Sequence, residues 1–196
     1  MKILVLGAGA REHAIVHSLA SELTDQGVAA HQIHCAPGNP GIATAATLHG
    51  IDPNSPAAVV ALARELEAEL VVIGPEAPLV AGVADATRAA GFPTFGSSQK
   101  AAQLEGSKAF AKEIMAAANV PTAKPYVCEN IEQVQVAFAD FGAPYVVKDD
   151  GLAAGKGVVV TNDEAEALEH ARACFANRPD GGRVVIEEYL DGPEVS

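Results

Sequence analysis

The sequence predicts an α/β protein in two parts: a parallel sheet with helices on both faces, then a smaller α+β lobe. Three observations lead there. Short apolar runs alternate with helix-period segments through the first hundred residues, the pattern of βαβ units and hence of a parallel sheet. The rhythm changes after about residue 105. A glycine-rich stretch, Gly151-Leu152-Ala153-Ala154-Gly155-Lys156-Gly157, then joins one apolar run directly to another with no helix between them.

In order, Ile3 to Leu6 is an apolar run stopped by Gly7, the signature of a buried parallel strand. Ile15, Leu19 and Leu23 recur at fourfold spacing and predict an amphipathic helix over Glu12 to Leu23. A strand follows at Ile33 to Ala36, closed by Pro37-Gly38-Asn39-Pro40-Gly41. Val59, Leu62, Leu66 and Leu70 predict a helix over 56–69, with Asn54 or Ser55 as cap and Pro56 in its first turn. Leu70 to Ile73 is a strand ending at Gly74-Pro75, followed by a helix near Val80 to Ala90 and a short strand at Thr94-Phe95. Beyond that, Ser107 caps a helix running to Asn119, with Phe110, Ile114 and Met115 inward. The rest predicts a strand around Tyr126, a helix from Ile131 to Phe141, strands at Tyr145–Lys148 and Val158–Val160, a helix around Glu164 to Phe175, and a strand at Val184–Glu187. The implied division is 1–105, a linking helix at 106–120, a lobe at 121–187, and the start of a further lobe at 188–196. With no element after Asp191-Gly192-Pro193 to cover the second lobe, the chain reads as a truncated piece of a longer protein.

Composition narrows the class. Hydrophobic residues make up 49% of the chain, enough to build a core. The net charge of -12 argues against a nucleic-acid binder, which carries a basic face. It leaves room for a small anionic ligand, because helix N-termini and a few lysines bind phosphate locally. No run approaches the roughly 18 apolar residues of a membrane span, and the run from Lys2 to Gly7 is followed by no small-residue cleavage site, so no signal peptide is expected. A cytoplasmic protein is expected, and the three cysteines, Cys35, Cys128 and Cys174, suit free thiols. His31, His34 and Cys35 match no zinc spacing and read as surface or strand-edge residues, as does His17.

Two loops could hold phosphate. Gly7-Ala8-Gly9-Ala10-Arg11-Glu12-His13 follows a strand and opens a helix, as a dinucleotide-binding loop does. Glu12 stands where the third glycine of that fingerprint belongs, however, and the second strand ends in Cys35-Ala36-Pro37 rather than an acidic residue. Both features count against NAD or FAD. The second loop, Lys148 to Gly157, fails the Walker A spacing and leads into a strand. It suits a hairpin flap whose glycines let the backbone approach phosphates, with Lys148 and Lys156 neutralising charge. Glu76 lies just past a strand's C-terminal end, where open α/β sheets bind ligands. Glu187-Glu188 could be a solvated edge or a ligand contact.

Taken together, these segments resemble one family. Gly7-x-Gly9-x-Arg11-Glu12-His13-Ala14, Pro37-Gly38-Asn39 and Gly74-Pro75-Glu76-x-Pro78-Leu79 look like the N-terminal domain of the phosphoribosylamine–glycine ligases, also called glycinamide ribonucleotide synthetases. Leu104-Glu105-Gly106-Ser107-Lys108-Ala109-Phe110-x-Lys112, Asp150 to Gly157, and Glu187-Glu188-Tyr189-Leu190-Asp191-Gly192 continue the match in order. Departures fall at Ala10, where a second glycine is usual, at Asp149, where a small residue is usual, and at Ser97, where proline is common.

The resemblance implies a Rossmann-like pre-ATP-grasp domain followed by the first lobe of an ATP-grasp fold. It implies an ATP-dependent ligase of purine biosynthesis that joins glycine to 5-phosphoribosylamine through a glycyl phosphate, with Mg2+ or Mn2+. Lys148 and Lys156 are then the catalytic lysines. Lys108, Lys148, Gly155, Lys156 and Gly157 meet the triphosphate; Glu187, Glu188, Tyr189 and Leu190 meet adenine; Glu194 meets the ribose. Gly9, Arg11, Glu12, Asn39, Gly41, Glu76 and Pro78 form the phosphoribosylamine side. The metal ligands and most of the glycine site lie beyond Ser196, so this chain alone is expected to turn over little. A monomer is favoured. The alternatives are another ATP-grasp carboxylate–amine ligase, a non-catalytic nucleotide-binding module, or a dinucleotide-binding domain, which Glu12 argues against.

Overall fold

The computed structural model describes residues 1–152, 157–177 and 182–193. The chain divides into two units, Met1–Gln103 and Leu104–Ser196.

The first unit is a doubly wound parallel sheet. Its strands are β1 (Lys2–Gly7), β2 (Gln32–Pro37), β3 (Thr47–Leu48), β4 (Leu70–Ile73) and β5 (Thr94–Phe95), in spatial order β3-β2-β1-β4-β5. The alternation inside β1 explains why both faces are covered. Ile3 and Val5 pack with Val16, Ile33, Cys35 and Ile42 on one side. Leu4 and Leu6 pack with Val59, Leu62, Val71, Ile73 and Val83 on the other. A strand buried on both faces reads as a continuous apolar run, as the sequence shows.

The helices are shorter than their periodicity suggests. α1 (Ala10–Ala20) stops before Leu23, which is exposed and bridges Ala29. α2 (Pro56–Glu65) has Ser55 as its cap, the hydroxyl accepting from the Ala58 amide, and ends where Glu67 turns left-handed. Leu70 therefore belongs to β4, because a parallel strand continues the same apolar stripe. The helix expected near 80–90 is two helices, α3 (Glu76–Val80) and α4 (Val83–Ala89), broken at Gly82 with φ 84°. β3 and the next helix, α5 (Gln99–Gly106), had no sequence signal strong enough to place them. His34 and Cys35 also depart from the surface reading. β2 lies between β3 and β1, so both are buried, and the His34 ring meets His49 at 3.0 Å.

The second unit is an antiparallel sheet with two helices packed on one face. It holds α6 (Lys108–Ala117), β6 (Pro125–Cys128), α7 (Ile131–Phe141), β7 (Tyr145–Asp149), β8 (Val158–Thr161), α8 (Glu164–Ala176) and β9 (Val184–Glu187). The strand order is β6-β9-β7-β8. Val134, Ala137 and Phe138 of α7 and Ala167, Ala171 and Cys174 of α8 pack on Cys128, Val147, Val184 and Ile186. The opposite face carries Val146, Lys148, Val185 and Glu187, since side chains alternate along each strand. α6 corrects the sequence reading of its inward face. Ala109, Ala111 and Lys112 are buried, whereas Ile114 is exposed.

Candidate functional sites

The first unit places its motif residues at a topological switch point. From β1 the chain moves to β2 and β3 on one side, while β4 and β5 extend the other side of the sheet. Loops at the C-terminal ends of β1 and β4 then diverge and leave a crevice, the usual ligand position in open α/β sheets. Three loops meet there. The Gly38 amide donates to the Gly7 carbonyl at 3.1 Å and the Gly74 amide to Leu6 at 3.2 Å. Asn39 donates from Nδ2 to the Ala8 carbonyl at 2.9 Å and accepts from the Ile42 amide at 3.0 Å, so one side chain fixes two loops. The Arg11 guanidinium reaches across the crevice to the Gly74 carbonyl at 2.9 Å and to Glu76 Oε1 at 2.8 Å. The hydrogen bond from Arg11 holds the Glu76 carboxyl below its ordinary range, so Glu76 is an anion at neutral pH. Gly41 lies against the His13 ring, which would have to move to admit a side chain there.

Among the predicted contacts of the first unit, Glu12 and Pro78 differ from the rest in being buried. Glu12 Oε2 accepts from the Gly9 amide at 2.7 Å, capping α1 from within. A methyl group on Gly7 would come within 2.5 Å of Glu12 Cγ, and Gly74 is as close, so the carboxylate occupies space the glycines leave free. The residue that breaks the dinucleotide fingerprint therefore fills the anion position of its own loop. Pro78 sits in the first turn of α3, where a missing amide costs little, and it packs rather than presenting a polar group.

The second unit gathers charges around the start of the glycine-rich hairpin. Lys108 Nζ donates to the carbonyls of Asp149 at 2.8 Å and Gly151 at 3.0 Å. Lys148 Nζ donates to Glu187 Oε2 at 2.8 Å. The other oxygen of Glu187 lies 3.2 Å from Lys112 Nζ. Asp150, which is buried, accepts from the Ala109 amide and the Ser107 hydroxyl at 3.1 Å and pairs with Arg183 at 2.8 Å. Ser107 in turn caps α6 by accepting from Phe110. The Asp149 amide donates to the Gly157 carbonyl at 2.7 Å and closes the base of the hairpin.

The segment after β9 behaves differently at each position. Glu188 pairs with Lys124 through backbone and side chain, continuing the β6–β9 ladder by one residue. Lys124, Asp140, Phe141, Pro144, Glu188 and Tyr189 line a cleft of about 500 Å³. Leu190 is exposed. Gly155, Lys156 and Glu194 lie outside the described residues. The sequence reading gave no role to Lys112 or Arg183. Lys112 had a usable signal, because its spacing from Lys108 puts both lysines near one face of α6.

Comparison with known proteins explains why both sites occur on one chain. Residues 1–105 match the family model described as phosphoribosylglycinamide synthetase, N domain. Residues 106–196 match the phosphoribosylglycinamide synthetase, ATP-grasp (A) domain. The chain belongs to the phosphoribosylglycinamide synthetase family. Among relatives of that family, the phosphoribosylamine–glycine ligase of Streptomyces coelicolor is 64% identical over 100% of this chain and 44% of its own length. That of Corynebacterium ammoniagenes is 50% identical over 100% of this chain and 45% of its own length. The crystal structure of phosphoribosylamine–glycine ligase from Thermotoga maritima superposes with a TM-score of 0.74 at 30% identity, covering 98% of this chain and 45% of that one. The biotin carboxylase domain of 2-oxoglutarate carboxylase from Hydrogenobacter thermophilus shares the fold, with a TM-score of 0.76 at 22% identity over 97% of this chain and 44% of that one. The chain thus spans less than half the length of each of these four proteins.

Proposed function

We propose that the complete protein carrying this chain is an ATP-dependent ligase that joins glycine to 5-phosphoribosylamine. In this reading a carboxylate oxygen of glycine attacks the γ-phosphorus of ATP and ADP leaves. The amine nitrogen of phosphoribosylamine then attacks the carbonyl carbon of the acyl phosphate, loses a proton and expels phosphate. The product is glycinamide ribonucleotide. A carboxylate is a poor electrophile and phosphate a good leaving group, so the protein's main work is positioning and charge stabilisation.

The observation that carries the proposal is the pairing of Lys108 and Lys148 with the hairpin between β7 and β8. Lys108 grips the first turn of the hairpin through two carbonyls, and Lys148 stands beside Glu187 on the sheet face opposite α7 and α8. Lys108, Lys148 and Gly157, with Gly155 and Lys156, take the ATP phosphates. The segment from Glu187 through Glu188 and Tyr189 to Leu190 takes adenine, and Glu194 takes the nucleotide ribose. In the first unit, Arg11, Asn39 and Glu76 offer polar groups to phosphoribosylamine, with Gly9 and Gly41 allowing close approach. Glu12 and Pro78 support that crevice from beneath.

In this reading the divalent ion takes its ligands beyond Ser196; among the described residues no three His, Cys, Asp or Glu side chains converge. No described helix is long and apolar enough to cross a membrane.

The test is ADP release dependent on both glycine and phosphoribosylamine. It is measured on the product of the complete reading frame and on residues 1–196. Release from the longer protein, with little from the shorter, is the expected result. A folded longer protein that releases no ADP with both substrates present overturns the reading in favour of a binding module.

A further inference from the structure

We infer that Lys112 is a positioning residue for Lys148, acting through the shared carboxylate of Glu187. The inference rests on the proposed nucleotide site in the second unit and adds a residue that touches no nucleotide. Lys112 and Glu187 have side chains only 9% and 7% exposed, while Lys148 is 27% exposed. An ammonium has three donors and no acceptor. Lys112 directs its donors to Thr122 Oγ1 at 2.7 Å, the Ala123 carbonyl at 2.8 Å and Glu187 Oε1 at 3.2 Å. That set leaves none for a ligand and holds the lysine at one point on α6.

Glu187 is therefore divided between two cations. Oε1 belongs to Lys112 and Oε2 to Lys148 at 2.8 Å. The division has two consequences. Lys148 is aimed along the sheet face by a fixed carboxylate rather than by its own flexible stem. The three groups together also keep one net positive charge, which the more exposed Lys148 presents with its remaining donors. A lone Lys148–Glu187 pair would be neutral and would hold its ammonium away from phosphate. A buried charge that loses a partner is costly, so the three groups act as a unit.

The test uses residues 1–196 and needs no nucleotide for its first reading. The acetylation rate of Lys148 by acetic anhydride is measured at one fixed pH, by mass spectrometry, in four proteins: the parent, Lys112→Met, Glu187→Gln and the double variant. Lys112→Met is expected to slow labelling of Lys148 about fivefold, the order expected when one charge-assisted hydrogen bond ceases to be shared. Glu187→Gln is expected to speed it. The double variant is expected to match Glu187→Gln, because Lys112 has no route to Lys148 once the carboxylate is gone. An equal effect of Lys112→Met in both backgrounds, or none in either, overturns the inference. If circular dichroism shows Lys112→Met unfolded, Lys112→Arg carries the same comparison. Its wider head group displaces the carboxylate, so a labelling change of about twofold or more is expected with Glu187 and none with Glu187→Gln. No change with Glu187 overturns the inference.

The second reading is binding of inorganic tripolyphosphate to the same proteins. Affinity is expected to fall about tenfold in Lys112→Met and to recover only in part in the double variant, which restores the net charge but not the carboxylate that aims Lys148. Labelling that follows the pattern while no protein binds tripolyphosphate keeps the positioning role and counts against the nucleotide reading. Binding that is unchanged in Lys112→Met counts against the positioning role alone.

Discussion

The two units hold their functional side chains in opposite ways. In the first, the groups aimed at a ligand reach water. Arg11 and Glu76 have side chains 60% and 41% exposed, and their positions come from loop backbones, Asn39 and glycines that let the loops close. One charge, Glu12, is hidden there, and it is spent on the backbone of its own loop. In the second unit the charges themselves are the scaffold: Glu187, Lys112 and Asp150 are buried and bind one another's elements together. The difference teaches where each site is vulnerable. Losing a charge in the second unit should cost stability there, whereas losing one of the exposed charges of the crevice should cost binding and leave the fold intact.

The sharpest way to break that contrast is Asp150→Ala. The substitution removes the partner of Arg183 and the acceptor for both Ser107 and the Ala109 amide. A loss of about 3 kcal/mol is expected, toward the low end for a buried ion pair because Arg183 is partly solvated. Urea unfolding followed by hydrogen exchange should show the loss in the second unit only. Glu12→Ala is the matching experiment in the first unit. It leaves the Gly9 amide unpaired and a space between Gly7 and Gly74, for an expected loss of about 2 kcal/mol. Glu12→Gln, which keeps an acceptor, should lose about half of that on the same assay.

Titration separates the units further. Burial pushes the Cys35 and Cys128 thiols up to about 11. A folded thiol that holds its proton longer than the unfolded one stabilises the protein below pH 9, and that contribution is lost as pH rises from 9 to about 11. Both units should therefore weaken in alkali, and iodoacetamide at pH 8 should alkylate these cysteines only after unfolding. Acid distinguishes them. Burial first, and then His49 and Lys2, lower the pKa of His34 in the first unit, so its neutral ring stabilises the fold at neutral pH. That contribution falls away as pH drops below 6.5, and His34→Phe should flatten the decline of the first unit's melting temperature. The smallest effect on stability belongs to Arg11→Ala. Its melting curve should overlay the parent's, while binding of a ribose phosphate in the crevice, read by amide shifts of Gly9 and Gly74, should be lost.

Much of this architecture was legible in the sequence because it depends on near neighbours. β4, α7 and β9 fall at their predicted bounds, since an apolar run between turn residues, or a heptad-like stripe, is decided within a few positions. Helix ends were less legible where an apolar stripe ran on into a strand, as from Leu66 to Leu70, or where a single glycine, Gly82, divided one stripe between two helices. The first site was legible because its three loops carry glycines and prolines at strand ends. The second was legible as lysines around a glycine-rich loop, though not as a network.

The sequence by itself determined that there would be a parallel sheet, a second α+β part, and two loops suited to anionic ligands. Only the tertiary structure decided which charges those loops expose and which they consume. It turned Lys112 inward where periodicity favoured Ile114, and it spent Glu12 on the Gly9 amide. It also joined Ser107 to Arg183 across 76 residues and Lys148 to Glu187 across 39. Strand and helix signals are local, set by neighbours a turn away. The partner of a buried charge is set by whichever element folds against it, because an ion removed from water must be paid for by the nearest opposite charge, however distant along the chain.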